Sequence, residues 1–191
     1  MSAIRPERLA GHLAPGLPAS VAERLLGSPR LGDRVRAFAE GRLRDAEAAV
    51  AALPPAEAAL ARAGHAVLER AAVLAGATWN APRVRALLRA AEVAAFAEAF
   101  GAEARTVALA HGDLTPPDPD DALPLHDAVR ADGAVLLLGW RDALPPPIPE
   151  ALALRWPLEE PEAAEDDPRR AAGRAVLARV APVATMPDAS P

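Results

Sequence analysis

Fifty of the 191 residues are alanine, and this constrains the fold more than any motif does. Alanine is the best helix former and loses no side-chain entropy on ordering, but it offers one methyl group to a core. Leu, Ile, Val and Phe together number 43, not far above the level of roughly 20% below which chains tend to stay disordered. The 51% apolar content therefore overstates the core. Such a chain is expected to be mainly α, a compact irregular helical bundle. One short β element is the alternative near residues 151–157, where Ala151-Leu152-Ala153-Leu154-Arg155-Trp156-Pro157 alternates with a strand-like period.

Pro and Gly divide this helix-forming sequence into predicted elements. Ser20 with Glu23 has capping-box spacing and predicts a helix from there to Gly27. Val35, Phe38, Ala46, Val50 and Leu53 predict a second over 31–53, stopped by Pro54-Pro55. Leu60, Gly64, Val67, Ala71 and Leu74 give a third over 56–75, with Gly76 placed to end it. Asn80 then predicts the cap of a fourth, two-faced and central, over 81–100 and closed by Gly101. Arg83, Arg85, Arg89, Glu92 and Glu98 read as its solvated rim. Ala134–Leu138 suits helix or buried strand, and Asp167-Pro168 opens a last helix to about Ala181 with Ala172, Val176, Leu177 and Val180 as its face. No repeat recurs at a fixed period. The expected organisation is one helical domain over 1–181, with a helical half (1–105), an acidic Pro-rich half (106–181) and a loose tail (182–191).

The missing residue types exclude whole classes of chemistry. With no Lys, Cys, Tyr or Gln, there is no Walker lysine, Schiff base, thiol nucleophile, disulfide, thiolate metal site or phenolic acid. Every basic side chain is arginine and the net charge is −5, so arginine abundance is weak evidence for nucleic-acid binding, and no nucleic-acid partner is expected. Charge is also uneven: residues 1–105 carry 14 Arg against 11 acids, and 106–191 carry 7 against 15. The apolar run Gly133–Trp140 is far shorter than the roughly 20 residues a membrane span needs. Together with the lack of a signal-peptide pattern, this leads to the expectation of a soluble, cytoplasmic chain.

Two groups of residues stand out as candidate sites. His111, Asp113, Asp118, Asp120, Asp121, His126 and Asp127 supply ligand types for a divalent metal or a proton-transfer pair, and a metal-binding or metal-dependent hydrolytic protein is the alternative they support. Their spacing matches neither HExxH nor a calcium loop, so no metal, cofactor or catalytic residue is assigned. His12 and His65 stand apart from this loop, and His65 reads as a packed or half-buried residue. The second group comes from three tryptophans in a chain with six aromatics. Trp79 sits at a turn, whereas Trp140 next to Arg141 and Trp156 next to Arg155 have the composition of interface hot spots, making Trp140, Arg141, Arg155 and Trp156 the candidate partner contacts.

The order of these features resembles the K subunit of the type III secretion sorting platform, the SctK/YscK-type family. The carrying residues are Ile4-Arg5-Pro6-Glu7-Arg8-Leu9, His12 and Leu17-Pro18 at the start, and the helices of 60–100 in the middle. At the end come Gly133, Leu137, Trp140, Pro145 and Leu152-Ala153-Leu154-Arg155-Trp156-Pro157. The family's early Tyr is missing and His12 is displaced from Leu9. The resemblance implies a non-enzymatic cytosolic adaptor without cofactors, held at the inner face of the bacterial inner membrane through its partners. Those partners would be an SctQ-type pod protein and the cytoplasmic domain of an SctD-type ring protein, with an SctL-type ATPase stator as a further candidate.

Overall fold

Prolines mark most of the places where helices begin. In the computed structural model, which describes residues 6–14, 16–115, 122–156 and 158–186, a proline opens α1 (Pro6–Leu13), α4 (Pro55–Arg62) and α11 (Pro168–Ala184). Another immediately precedes α2 (Ala19–Gly27), α9 (Leu125–Asp142) and α10 (Ile148–Arg155). A first-turn N–H has no intrahelical acceptor, so proline loses nothing there and its fixed φ suits the helix. The other helices are α3 (Gly32–Val50), α5 (His65–Trp79), α6 (Ala81–Arg85), α7 (Ala90–Phe100) and α8 (Ala102–Ala110), with a single 3-10 turn at Gly112–Leu114. Among the described residues there is no strand. The fold is mainly α.

Contacts divide the chain into two compact units, one of Met1–Pro54 with Leu144–Glu159 and the other of Pro55–Ala143 with Glu160–Pro191. These boundaries do not coincide with the charge boundary near Arg105.

In the first unit α1 packs on α2 and α10, and α3 packs on α2 and α10. Leu9, Ala10, Ala22, Ala39 and Leu154 form its buried cluster, edged by Leu13, Leu17, Leu26 and Val35. Alanines fill several of these places, so the cohesion per residue is small: each buried methylene contributes only about 0.8 kcal/mol. The segment 151–155 is helical, settling the alternative of a β element. The buried side chains of α10 are Ile148, Ala151, Leu152 and Leu154; the first three have i, i+3, i+4 spacing, and Ile148 lies just before the window in which Ala and Leu alternate.

The second unit is built around α9, which packs against both α5 and α11. Glycines set how close these helices come. A Cβ on Gly76 would overlap the backbone carbonyl of Val129, and one on Gly133 would overlap that of Ala72. On the other side of α9, a Cβ on Gly139 would strike the backbone of Arg170, and one on Gly173 that of Leu136 and Trp140. The three helices therefore touch main chain to main chain, which restores the dispersion contact that alanine-rich faces cannot supply with side chains. Around these contacts lie Leu74, Leu136, Leu137, Trp140, Leu177 and Val180, all almost fully buried.

Several helix ends differ from expectation. Ser20 lies inside α2, whose N-cap is Pro18 with no side-chain hydrogen bond, so the capping box is not used. The expected third helix breaks in two, with Gly64 as the N-cap of α5, and Gly76 packs in mid-helix instead of ending it. The expected fourth helix is likewise two short ones. Residues 86–89 interrupt it, Leu88 is 87% exposed, and only Phe96 and Phe100 of α7 are buried. It is therefore not a central helix. Gly101 does close α7, at φ +84, a conformation that favours glycine. The last helix runs beyond Ala181 to Ala184 with Pro182 inside it, so the expected tail is partly helical; residues 187–191 lie outside the described set.

Candidate functional site

The His/Asp loop does not assemble a site among its described members. His111 caps the C-terminus of α8. Asp113 is exposed, with its carboxylate 3.9 Å from the Arg179 guanidinium. His126 is used as an aromatic ring: its edge-on contact with Phe100 has a centroid distance of 5.1 Å and an interplanar angle of 83°, and its contact with Phe96 spans 6.1 Å. Asp127 lies in the first turn of α9, where a carboxylate complements the helix dipole. Asp118, Asp120 and Asp121 fall outside the described residues. Among the described residues no three His, Asp or Glu side chains converge as a metal ion would require. His65 is more exposed than a packed reading predicts; its imidazole is 56% exposed and lies 3.2 Å from Glu69 one turn on.

The two Trp-Arg pairs belong to different units, and all but Arg155 are covered by this chain. Trp140 is completely buried in α9, and its indole N–H has no acceptor within hydrogen-bond reach among the described residues. Arg141 is 8% exposed; its Nε donates to Asp142 at 2.9 Å and a terminal nitrogen to Glu160 at 2.8 Å. In the first unit Trp156 is buried after the last turn of α10. Arg155 is half-buried and lines a shallow depression between α3 and α10 with Leu43, Glu47, Val50, Ile148 and Leu152. Trp140, Arg141 and Trp156 thus act as interior residues that hold α9, the acidic connector and α10 in place.

The most organised polar cluster is one that sequence reasoning did not assemble. Asp132, in α9 just before the apolar run, accepts from the Asn80 amide at 2.7 Å through one oxygen and from Arg169 at 2.7 Å through the other. Asn80 also donates to the carbonyl of Gly76, so this residue ties α5 to α9 and makes no side-chain cap of α6. Arg169 holds Asp167 in a fork, with Nε at 2.9 Å and a terminal nitrogen at 2.6 Å from its oxygens. Asp167 in turn caps α11 by accepting from the Arg169 backbone N–H at 2.8 Å.

These four side chains satisfy one another, and the ionisation equilibria follow. The side-chain hydrogen bond from Arg169 holds the Asp167 carboxyl below its ordinary range against the opposing effect of burial. The same pair, with help from Asp132, raises the Arg169 guanidinium further above its already high value. A carboxylate so held is a poor proton acceptor, and its oxygens are committed. The cluster is a clamp joining the α5 end, the middle of α9 and the α11 start. Of its members, the sequence marked Asp167 and Asn80 as caps. Asp132 carried one further signal, a lone acid bordering an apolar helical run.

Chemically, the described surfaces offer ion pairs, buried rings and helix faces, which is equipment for packing and contact. No family model, curated protein or solved structure matches this chain.

Proposed function

We propose that this chain is a non-enzymatic adaptor of the type III secretion sorting platform, working by contact between an SctQ-type pod protein and the cytoplasmic domain of an SctD-type ring protein at the cytosolic face of the inner membrane. The observation that carries the reading is the C-terminal residue order from Gly133 through Trp140 and Pro145 to Leu152–Pro157, which resembles that family.

The burial pattern gives this order a physical meaning. Gly133 is where α9 meets the α5 backbone, and Leu137, Trp140, Leu152, Leu154 and Trp156 are buried. The shared residues are therefore fold-specifying ones, and the likeness is one of interior layout. Partner surfaces would lie on the exposed faces that this interior holds in position. The commitment of Asp132, Asp167 and Arg169 to one another, and of His126 to an aromatic contact, also fits a protein with no chemical step to perform.

The test is binding of the purified full chain to the SctQ-type protein and to the cytoplasmic domain of the SctD-type protein of the same organism, by titration calorimetry. Saturable binding to both supports the adaptor reading, and binding to neither overturns it.

A further inference from the structure

Of the three phenylalanines, Phe96 and Phe100 are buried while Phe38 is left 42% exposed on the outer side of α3. Leu31, the N-cap residue of α3 and also exposed at 41%, stands seven residues before it, so that the helix register continued by one residue puts it above the Phe38 stripe. Arg34 and Arg42 fall on the same stripe, four residues either side of Phe38. The Arg42 guanidinium lies over the Phe38 ring at 5.4 Å from its centroid, and Arg30 borders Leu31. The face is thus two large apolar side chains set among three cations.

Among the described residues the positive charge at the N-terminal end of this face has no carboxylate paired with it. Arg30 and Arg34 form no hydrogen bond or ion pair among the described residues. Asp33, the nearest acid in sequence, is occupied by Arg36 at 2.8 Å. Asp45, at the far end of the stripe, is the one carboxylate on it; Glu40 points to another side of the helix by its register. Several other arginines are tied to carboxylates, as Arg70 is to Glu103 and Arg169 to Asp167; what sets Arg34 and Arg42 apart is the exposed Phe38 ring between them. An exposed Phe flanked by arginines has the composition of an interface, and its electrostatic complement is an acidic surface.

We infer that this face of α3 is a docking surface for an acidic, apolar helical segment of another protein. The segment's apolar side chains would seat on Leu31 and Phe38, and its carboxylates would meet Arg30, Arg34 and Arg42, with the most acidic end over Arg30 and Arg34, away from Asp45. The surface is on the first unit alone, and the inference stands independently of the secretion-family reading. An acidic peptide is favoured over nucleic acid because a phosphate backbone is bound chiefly by cations, whereas here the apolar Phe38 ring separates Arg34 from Arg42 and Asp45 adds a negative charge.

The experiment uses the full chain and a fluorescein-labelled 18-residue peptide carrying leucines at i, i+3, i+4 and i+7 spacing with glutamates on their flanks, followed by fluorescence anisotropy. The expected dissociation constant at low salt is on the order of 10 to 100 µM, in the range of weak, small interfaces. Exchanging the peptide's glutamates for glutamines, or its leucines for serines, should weaken binding by about tenfold or more, as should raising the salt several-fold. In the protein, Phe38→Ala and Arg34→Glu should each cost about tenfold, while Arg44→Glu, on the same helix but off the stripe, should stay within about twofold. Arg34→Glu serves if Phe38→Ala does not fold, since Arg34 is exposed and makes no hydrogen bond or ion pair among the described residues. No saturable binding at millimolar peptide overturns the inference, as does an Arg44→Glu loss equal to that of Arg34→Glu. Tighter binding of a single-stranded RNA or of anionic vesicles through the same residues overturns it in favour of those ligands. A dimer seen by light scattering and abolished by Phe38→Ala overturns it in favour of self-association.

Discussion

Replacing Gly133 by Ala isolates the main-chain contact between α5 and α9. The added methyl group meets the carbonyl oxygen and carbon of Ala72 and lies 3.4 Å from the backbone nitrogen of Gly76. None of these atoms can rotate away as a side-chain tip would, so the helices must separate by on the order of 1 Å, a gap that forfeits about a quarter to a half of each dispersion contact across it. Overpacking of this kind costs roughly 1–3 kcal/mol, and a backbone collision belongs at the upper end. Against it stands the gain from replacing a mid-helix glycine, about 1 kcal/mol. The net expectation is a loss of about 2 kcal/mol, or about 4–8 °C in Tm for a chain of this length. Gly41→Ala is the matched control: it lies inside α3 with nothing within 4 Å of the added methyl, so propensity alone acts and the variant should gain up to about 1 kcal/mol. Differential scanning calorimetry, with the helical signal followed in parallel by circular dichroism, measures both. A Gly133→Ala protein that melts at or above the wild type while Gly41→Ala also gains stability would refute the close-approach reasoning.

The remaining expectations concern the clamp and the buried tryptophan. Asp167→Asn weakens the α11 cap and the Arg169 fork and should cost about 1–2 kcal/mol at pH 7. Because the folded-state carboxyl titrates below its ordinary value, that contribution is fully present above the unfolded value of about 4 and is lost as pH falls through the depressed folded value. The stability difference between wild type and Asp167→Asn should therefore be flat from pH 7 to about pH 5 and shrink below about pH 4; a difference that grows toward acid contradicts the assignment. Asp132→Ala removes two charge-assisted bonds, leaving the Asn80 amide N–H donors only the Gly76 carbonyl and Arg169 only its fork on Asp167, and should cost about 3 kcal/mol in urea denaturation, more than Asn80→Ala, which leaves Asp132 its bond to Arg169. Trp140→Ala should cost about 3–5 kcal/mol. Trp140→Phe should cost far less, since it keeps most of the ring and removes an indole N–H that has no acceptor among the described residues; equal losses for the two would show that the indole nitrogen does have a partner.

The parts of the fold legible in the sequence are those that local chemistry decides. Pro168 opens a helix, Asp167 caps it and Gly101 closes another, because each residue's backbone geometry or short side chain is sufficient by itself. The failures are places where a distant helix decides. Gly76 has the same local meaning as any glycine, and only the carbonyl of Val129 arriving from α9 turns it from a terminator into a packing contact. Residues 86–89 contain no Pro or Gly, so nothing local announces the break between α6 and α7; it is marked only by Glu92 reaching back to accept from the Arg89 backbone N–H at 3.2 Å. Of the candidate contacts, Trp140, Arg141 and Trp156 share a composition with interface centres, but composition does not say which side of the surface a tryptophan lies on. The clamp was half visible. Asp132 and Arg169 are 37 residues apart, and their pairing depends on α9 and α11 lying side by side.

The discontinuous make-up of the first unit bears on how the protein can be made and dissected. Its cluster takes Leu9, Ala10, Ala22 and Ala39 from the N-terminal stretch but Leu154 from a segment about a hundred residues later. On the ribosome, α1, α2 and α3 emerge long before α10, so this unit must wait, partly exposed, while most of the other is synthesised. A fragment cut at Pro54 would carry the same gap permanently. An autonomous version would need residues 1–54 joined to 144–159 by a new linker, with the bypassed stretch left to its own partner helix, α11.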